Sequence, residues 1–265
     1  MAGPDGDVSA VPPRPERPAA AAGSDGPAGE PAAPTWRWWE GLLAYLVALL
    51  VGGAISAPLL RAVAVPGDAQ ILASIVADLA VLALLLVWLR RVHPSWTRAV
   101  GIPVRAGREA AAGALAGFVL YPVVALAVAP LLALALRAAT GEAPELPRQL
   151  PANLTPLGVG AAVAFGLVVA PVQEELVFRG LLFRALRDRY GFSPAAWASG
   201  VAFGLVHYVP GGSPADPVLL MGAMVATGYG LALIYERRGN LLAPVAAHAA
   251  FNLVGLAFLL MARLA

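Results

Sequence analysis

The chain has 265 residues, of which 59% are hydrophobic and only 13% are charged, and its mean hydropathy is +0.74. An ordinary globular domain is about half apolar and about a quarter charged, so this composition excludes most soluble folds. The net charge of +2 gives no indication of nucleic-acid binding, and the absence of cysteine excludes disulfides, thiolate metal sites and a cysteine nucleophile. The composition predicts a polytopic membrane protein of the all-α class.

Residues 1–35 differ in composition from the rest of the chain. They are rich in proline, alanine and glycine and contain no aromatic residue. Such a segment buries too little apolar surface to offset its chain entropy, so we expect a disordered cytosolic tail. Trp36, Trp38 and Trp39 follow the tail and are expected to mark the membrane interface, where amphipathic rings prefer to lie.

The remaining residues, 36–265, are predicted to form a transmembrane bundle of about seven helices. A helix needs about 20 residues, at a rise of about 1.5 Å each, to cross the hydrocarbon core. One of the apolar stretches, 195–208, is shorter and is expected to be partly buried among its neighbours. The apolar stretches are 40–60, 70–89, 110–136, 157–183, 195–208, 217–235 and 241–262.

The basic residues, all of them arginine, predict the orientation of the bundle. With the tail in the cytosol, most arginines lie in cytosolic segments, as the positive-inside rule requires. Only Arg61, Arg137, Arg148 and Arg263 lie on the other side. We therefore predict a multi-pass protein of the cell membrane, embedded in the lipid bilayer, with a cytosolic N-terminus.

Pairs of glycines at four-residue spacing indicate where helices pack closely. Gly113 and Gly117 form one such pair, and Gly200 and Gly204 form another. Small residues at this spacing let helix backbones approach each other in lipid. We expect close helix–helix contacts at both pairs.

Ionisable side chains inside the predicted spans are costly in lipid, so a functional role is the first hypothesis for them. Glu175 and Arg179 are four residues apart, share a helix face and can pair. Glu174 points about 100° away around the helix and is available as a base. Pro171 is expected to kink the helix beside these acids. The structural alternative is a salt-bridge cluster near the cytosolic end.

Two of the three histidines also fall in apolar stretches. Phe203 precedes His207 by one helical turn and shares its face. His248 and Asn252, at i and i+4, present two side-chain donors in one direction. The structural alternatives are a hydrogen-bonded packing histidine at His207 and interhelical hydrogen bonds from His248 and Asn252.

Glu174, His207 and His248 lie at similar depths, roughly 10–20 Å from the predicted cytosolic ends of their helices. A carboxylate beside an imidazole can deprotonate a water, and an imidazole with an amide can stabilise an oxyanion. Two histidines and a glutamate can also hold one divalent metal ion, zinc above all. The residues themselves do not decide between metal-bound and metal-free water.

Together, the polar segments resemble the motifs of the CPBP family, the CAAX prenyl proteases and bacteriocin-processing enzymes that are also called the Abi family. The resemblance covers residues 155–262. It implies an intramembrane endopeptidase, often labelled a metalloprotease, with a peptide or membrane-protein substrate and a site open toward the cytosol. The segments are Glu174-Glu175-x-x-x-Arg179, Phe203-x-x-x-His207 and His248-x-x-x-Asn252.

The resemblance also implies roles for the site residues. Glu174 is the implied general base, and His207 is its partner in activating water. His248 and Asn252 are the implied oxyanion site. If a metal is present, Glu174, His207 and His248 are its implied ligands. The implied site comprises Glu174, Glu175, His207, His248 and Asn252, with Arg179 and Phe203 in support.

Two other functions are compatible with parts of the sequence. A rhomboid-like serine protease would use Ser199 with His248 as the base, but Trp197 and Phe251 stand where that family's pattern has glycine. The zincin motif is absent. A non-catalytic membrane protein with a transport, immunity or scaffold role would use the polar cluster as a structural element or a proton path.

Two further polar residues lie outside these motifs. Asp78, in the second apolar stretch, is expected to make an interhelical polar contact or to line a wet cavity. His93 follows the same stretch in an arginine-rich loop. We expect it to be a solvated loop residue.

Overall fold

The computed structural model describes residues 33–103 and 105–264, with side chains to residue 261. Within these ranges the chain is helical and contains no strand. Residues 1–32, which make up most of the predicted tail, lie outside the described residues.

Long helices account for most of the described chain and confirm the predicted all-α transmembrane bundle. Six of them are long and apolar enough to cross a membrane, and the helix at residues 192–206 is the shorter one that the sequence predicted. The helices, named here in chain order, are α1 (Trp38–Ala62), α2 (Pro66–Val92), α3 (Ala106–Thr140), α4 (Pro156–Tyr190), α5 (Phe192–Val206), α6 (Ala215–Arg238) and α7 (Leu242–Leu264).

Helix α4, which carries the first motif, departs from α-helical geometry in two places. π-helical turns at Phe165–Val169 and Leu176–Phe183 flank a short α-helical segment, Ala170–Glu175. Pro171 lacks the N–H that a regular helix needs, and the first π turn directly precedes it. Both glutamates of the first motif lie in the short α-helical segment between the two π turns, and π turns are frequent at functional sites.

The predicted close packing at the glycine pairs is present. A Cβ atom added at Gly117 would lie 2.0 Å from the carbonyl oxygen of Ala247, so α3 and α7 are in backbone contact. Gly113 makes the same kind of contact one turn earlier. Gly200 and Gly204 also bring α5 into backbone contact with α6, where added Cβ atoms would lie 3.0 Å and 2.6 Å from the nearest carbonyl oxygens. These contacts pack α7, which carries the third motif, against α3, and α5, which carries the second motif, against α6.

The tryptophans before α1 are not equivalent. Trp38 and Trp39 are exposed, as the interface prediction requires. Trp36 is only 3% exposed, and its Nε1–H donates a hydrogen bond of 3.1 Å to the carbonyl oxygen of Leu181 in α4. The prediction of an interfacial ring is wrong for Trp36, because a long-range partner in the core satisfies its polar group.

The prediction for His93 is also wrong. The residue is only 7% exposed, and its Nδ1 atom lies 2.8 Å from the Thr35 hydroxyl. Its ring packs edge-on against Trp36 and Trp88. Burial disfavours the charged ring and lowers the pKa of His93.

Ion pairs join the arginine-rich ends of three helices. Arg187 of α4 makes a bidentate pair with Glu236 of α6, the shortest distance being 2.8 Å. Arg238, at the end of α6, pairs with Glu109 of α3 at 2.7 Å. These pairs join α6 to the ends of α4 and α3. The cytosolic location of this end stays a prediction.

Candidate active site

Three helices bring their rare polar side chains together around Glu174. The Oε2 atom of Glu174, on α4, lies 3.9 Å from Nε2 of His207 and 4.0 Å from Nε2 of His248. His207 is the C-terminal cap residue of α5, and His248 lies in α7. The similar depths that the sequence assigned to these three residues therefore correspond to a real cluster.

Both histidine rings are held by hydrogen bonds at Nδ1. In His207 this atom lies 2.7 Å from the carbonyl oxygen of Phe203, one turn earlier in the helix. In His248 it lies 2.9 Å from Oε1 of Glu175. Because carbonyl and carboxylate oxygens accept hydrogen bonds, Nδ1 is the donor in each ring. The two Nε2 atoms are left facing Glu174.

Glu175 and Arg179 form the ion pair that their spacing predicts, at 2.9 Å, and both side chains are 0% exposed. Arg179 also donates a hydrogen bond of 3.0 Å to the carbonyl oxygen of Gly228 in α6. Its guanidinium carbon lies 4.6 Å from the centre of the Phe203 ring in α5. A buried ion pair is costly unless further contacts complete it, and here those contacts join α4 to α5 and α6.

Phe203 is fully buried and contacts His207, His248 and Arg179. The centre of its ring is 4.5 Å from that of His207 and 5.6 Å from that of His248. Phe203 therefore contacts both imidazole rings, as the supporting position implied by the resemblance requires.

Several buried polar atoms of this cluster have no hydrogen-bond partner within the described chain. Buried polar groups in native proteins are almost always satisfied by protein or by ordered water, and a buried water needs two to four polar partners. The cluster is therefore chemically suited to hold water. The atoms are Nε2 of Gln173, Oε2 of Glu174, Oε2 of Glu175 and Nε of Arg179.

Gln173 and Tyr45 also belong to the polar cluster, although neither was predicted from the sequence. Gln173 is 2% exposed, and its only sequence signal was an amide in an apolar stretch. Tyr45 of α1 contacts the Gln173 side chain and packs edge-on against Phe178 at 6.0 Å. Nothing in the local sequence marks Tyr45. Asp78 of α2 is partly buried and interacts electrostatically with Glu174, so α1 and α2 also border the site.

Asn252 makes a different contact from the one expected. Its Nδ2 atom donates a hydrogen bond of 2.8 Å to the carbonyl oxygen of Gly166, in the first π turn of α4. One amide N–H therefore ties α7 to α4. The implied oxyanion role of Asn252 requires the second N–H and stays a prediction.

The geometry also bears on the implied zinc site. Zinc in a tetrahedral site lies about 2.0–2.2 Å from its ligands, which places neighbouring ligand atoms about 3.3–3.6 Å apart. The separations from Glu174 to His207 and His248 are wider, at 3.9 and 4.0 Å. In the described ranges no group of three ligating side chains is arranged to hold an ion. The arrangement of these residues therefore does not fit a tetrahedral zinc ion.

Ser199, the nucleophile of the serine-protease alternative, is fully buried. Its hydroxyl donates a hydrogen bond of 2.9 Å to the carbonyl oxygen of Phe178. This contact joins α5 to α4, which is a packing role.

Comparison with known proteins agrees with the resemblance stated from the motifs. Residues 156–254 match the family model described as Type II CAAX prenyl endopeptidase Rce1-like. The chain is also 34% identical, over 85 residues, to the Bacillus subtilis (strain 168) protein named "Putative membrane peptidase YdiL". That match covers 32% of this chain and 32% of the relative, so it spans about a third of the relative's length. No solved structure matches the chain.

The matched residues contain all three motifs and every side chain of the cluster apart from Tyr45 and Asp78. Both comparisons therefore support a membrane peptidase. The part of the chain that builds the candidate site, residues 156–254, is similar to the type II CAAX prenyl endopeptidases of the Rce1-like family.

Proposed function

We propose that this protein is an intramembrane endopeptidase in which Glu174 and His207 activate a water for attack on a peptide bond. One observation carries the proposal. Oε2 of Glu174 is buried, has no hydrogen-bond partner within the described chain, and lies 3.9 Å from Nε2 of His207. A carboxylate oxygen and an imidazole nitrogen at this separation can share one water between them.

The two groups have complementary roles toward that water. A water between them donates one hydrogen bond to Glu174 and one to His207, each about 2.7–2.9 Å long. As the water oxygen attacks the peptide carbonyl carbon, its proton passes to the Glu174 carboxylate. Glu174 then returns this proton to the leaving amine nitrogen, and the C–N bond breaks. The side chains of Glu174 and His207 are 18% and 23% exposed, which leaves room for a substrate on this side.

His248 is placed to stabilise the oxyanion of the tetrahedral intermediate. Its Nε2 atom faces the same region, 4.0 Å from Glu174, and must carry a proton in order to donate. The ring then holds a proton on each nitrogen, and the Glu175 carboxylate at Nδ1 compensates the resulting charge. The second N–H of Asn252 completes the oxyanion site in this proposal. A preorganised donor of this kind is worth about 10²–10³ in kcat.

The substrate in this proposal is a peptide or membrane-protein segment that reaches the site from the arginine-rich side. The matched family is described as acting on CAAX prenyl substrates, which suggests a first probe. We would use a quenched-fluorescent farnesylated peptide ending in a CAAX sequence. A second probe is the set of new C-termini that appear in membranes expressing the protein, detected by mass spectrometry.

The decisive experiment compares Glu174→Gln with the wild type in lipid nanodiscs. Glutamine keeps the shape of the side chain but cannot accept the proton, so we expect cleavage to fall by at least about 10²-fold. Glu142→Gln is the matched control, because Glu142 is exposed in the loop after α3. Undiminished cleavage by a folded Glu174→Gln protein would rule out the general-base role. A wild type that cleaves neither probe would favour the non-catalytic alternative.

A further inference from the structure

Asp78 is an acidic residue inside the membrane-spanning helix α2 that has no counter-charge within the described chain. Ile71 and Leu85 lie seven residues before and after it, so the three share one helix face. Ile71 and Leu85 are buried, and this face therefore points into the bundle. Asp78 itself is partly exposed, and in the residues that the structure describes neither an ion pair nor a hydrogen bond engages its carboxyl group. An unpaired ionisable group in a span indicates a functional site.

Asp78 borders the candidate active site. Helix α2 packs along the part of α4 that runs from Pro156 to Glu175. Asp78 interacts electrostatically with Glu174, at the end of this part, and with Tyr45 of α1. The unpaired carboxyl group therefore lies beside the proposed general base, where a bound substrate segment can reach it.

The charges around this site are not balanced. Asp78, Glu174 and Glu175 contribute three carboxyl groups, whereas Arg179 is the arginine of the cluster and is already paired with Glu175 at 2.9 Å. Even with the His248 ring protonated, as proposed above, the acids outnumber the cations. Charges in a site with low-dielectric walls attract opposite charges strongly, so this side of the site favours a cation.

A second observation points to a peptide as the carrier of that cation. The Gln173 side chain is buried, and its Nε2 atom has no hydrogen-bond partner within the described chain. Tyr45 contacts this side chain and also interacts with Asp78, so the unpaired amide and the unpaired carboxyl group lie next to the same tyrosine. Buried donors without a partner are rare, and the carbonyl oxygen of a substrate backbone is a suitable acceptor for this one.

We propose that Asp78 binds a lysine or arginine side chain of the peptide substrate, while the Gln173 amide donates a hydrogen bond to a backbone carbonyl of the same segment. This inference rests on the proposed function. The long apolar stem of a basic side chain can pass along apolar surroundings while its charged head reaches a carboxylate. The Tyr45 hydroxyl offers the head a further acceptor.

Asp78 acts on specificity in this proposal and takes no part in the chemical step. A basic residue is favoured at one fixed position relative to the cleaved bond. An acidic residue is disfavoured at the same position, because like charges placed side by side are costly.

The test uses the full-length protein in lipid nanodiscs with a synthetic library, in which a randomised peptide segment precedes an apolar membrane anchor. Mass spectrometry of the cleaved ends gives the residue preference at each position around the cut. For the wild type we expect lysine and arginine to be enriched about tenfold at one position. Asp78→Asn should remove this enrichment, and Asp78→Arg should replace it with aspartate and glutamate. Glu142→Arg, at an exposed loop position, is the matched control and should keep the wild-type preference.

Two peptides that differ only in lysine or norleucine at that position separate specificity from stability. The ratio of their kcat/KM values does not depend on how much of the protein is folded, so a merely structural role of Asp78 would leave this ratio unchanged. If Asp78→Arg proves unstable in a melting experiment, the ratio in Asp78→Asn decides. Gln173→Leu should lower kcat/KM for both peptides by the same factor, because a hydrogen bond to the backbone does not depend on the side chain.

The outcomes distinguish this inference from the proposed function. Cleavage by the wild type without a preference for basic residues would overturn the role of Asp78 and leave the proposed peptidase in place. A preference that Asp78→Asn retains would do the same. A wild type that cleaves no peptide of the library, basic or not, would contradict the proposed function and this inference with it.

Discussion

Nδ1 of His248 lies 2.9 Å from Oε1 of Glu175, although 73 residues separate the two in the chain. The same carboxylate oxygen accepts a hydrogen bond from Arg179 at 2.9 Å. Glu175 thus connects a buried cation on its own helix to an imidazole on α7. The two adjacent glutamates of the first motif therefore differ in environment, since Glu174 faces the two Nε2 atoms and Glu175 is fully enclosed.

Glu175→Gln should impair both stability and cleavage. The substitution leaves Arg179 as a buried cation without its partner, and breaking a buried ion pair costs about 3–5 kcal/mol. It also removes the charge that holds the His248 ring. We expect a lower melting temperature and a lower kcat in nanodiscs.

The double variant Glu175→Gln/Arg179→Met separates these two effects. With both charges removed, no unpaired ion remains in the core, so much of the lost stability should return. Cleavage should stay low, because His248 still lacks its carboxylate. Full recovery of cleavage in the double variant would show that Glu175 acts on stability alone.

Ser199→Ala should leave cleavage nearly unchanged. The Ser199 hydroxyl is fully buried and is engaged with the carbonyl oxygen of Phe178, so it is not placed to attack a substrate. Losing this hydrogen bond should lower the free energy of unfolding by about 1 kcal/mol. A fluorophosphonate probe, which labels active serines, should not modify the wild type. Labelling that disappears in Ser199→Ala would instead support the serine-protease alternative.

Gly117→Ala should destabilise the contact between α3 and α7. The added methyl group would lie 2.0 Å from the carbonyl oxygen of Ala247, so the backbones must separate, and overpacking of this kind costs about 1–3 kcal/mol. Gly107→Ala is the control in the same helix, where an added Cβ meets no atom within 4 Å. That variant should be neutral or slightly more stable. Equal melting temperatures for the two variants would contradict the close packing.

Stability near His93 should depend on pH. Burial lowers the pKa of His93, so the unfolded chain, with a histidine pKa of about 6.5, binds the proton more readily than the folded protein. The contribution of the neutral ring is present above about pH 6.5 and is lost as the pH falls below that value. We expect the melting temperature to drop less between about pH 8 and about pH 5 in His93→Gln than in the wild type. If the melting temperature falls equally in the two proteins, His93 does not contribute to the pH dependence of stability.

The class of the fold follows from composition and periodicity. A chain with 59% hydrophobic residues and long apolar stretches must satisfy its backbone groups internally in lipid, and helices do so within each segment. The pairing of Glu175 with Arg179 is also local, because the helical period places i and i+4 on one face. These features could be predicted because each depends on residues within one or two turns.

Contacts between helices could not be predicted from local sequence spacing. Trp36 and His93 are buried with polar partners, Leu181 and Thr35, that lie 145 and 58 residues away in the chain. Tyr45 borders the site because it contacts Gln173 and Phe178, two residues of another helix. The position of Glu174 between two imidazole rings, 3.9 and 4.0 Å away, depends on how far each helix rotates and slides against its neighbours.

The residues of the motifs could thus be identified from the sequence. Which of their side chains lie close enough to act together depends on how the helices pack. Backbone contacts at glycines such as Gly117 set the distance between helices, and the Phe203 ring packs against both histidine rings. Local spacing reports which side chains share a helix face. It carries no information about which face of another helix they meet, because many packings of the same helices satisfy the same apolar pattern.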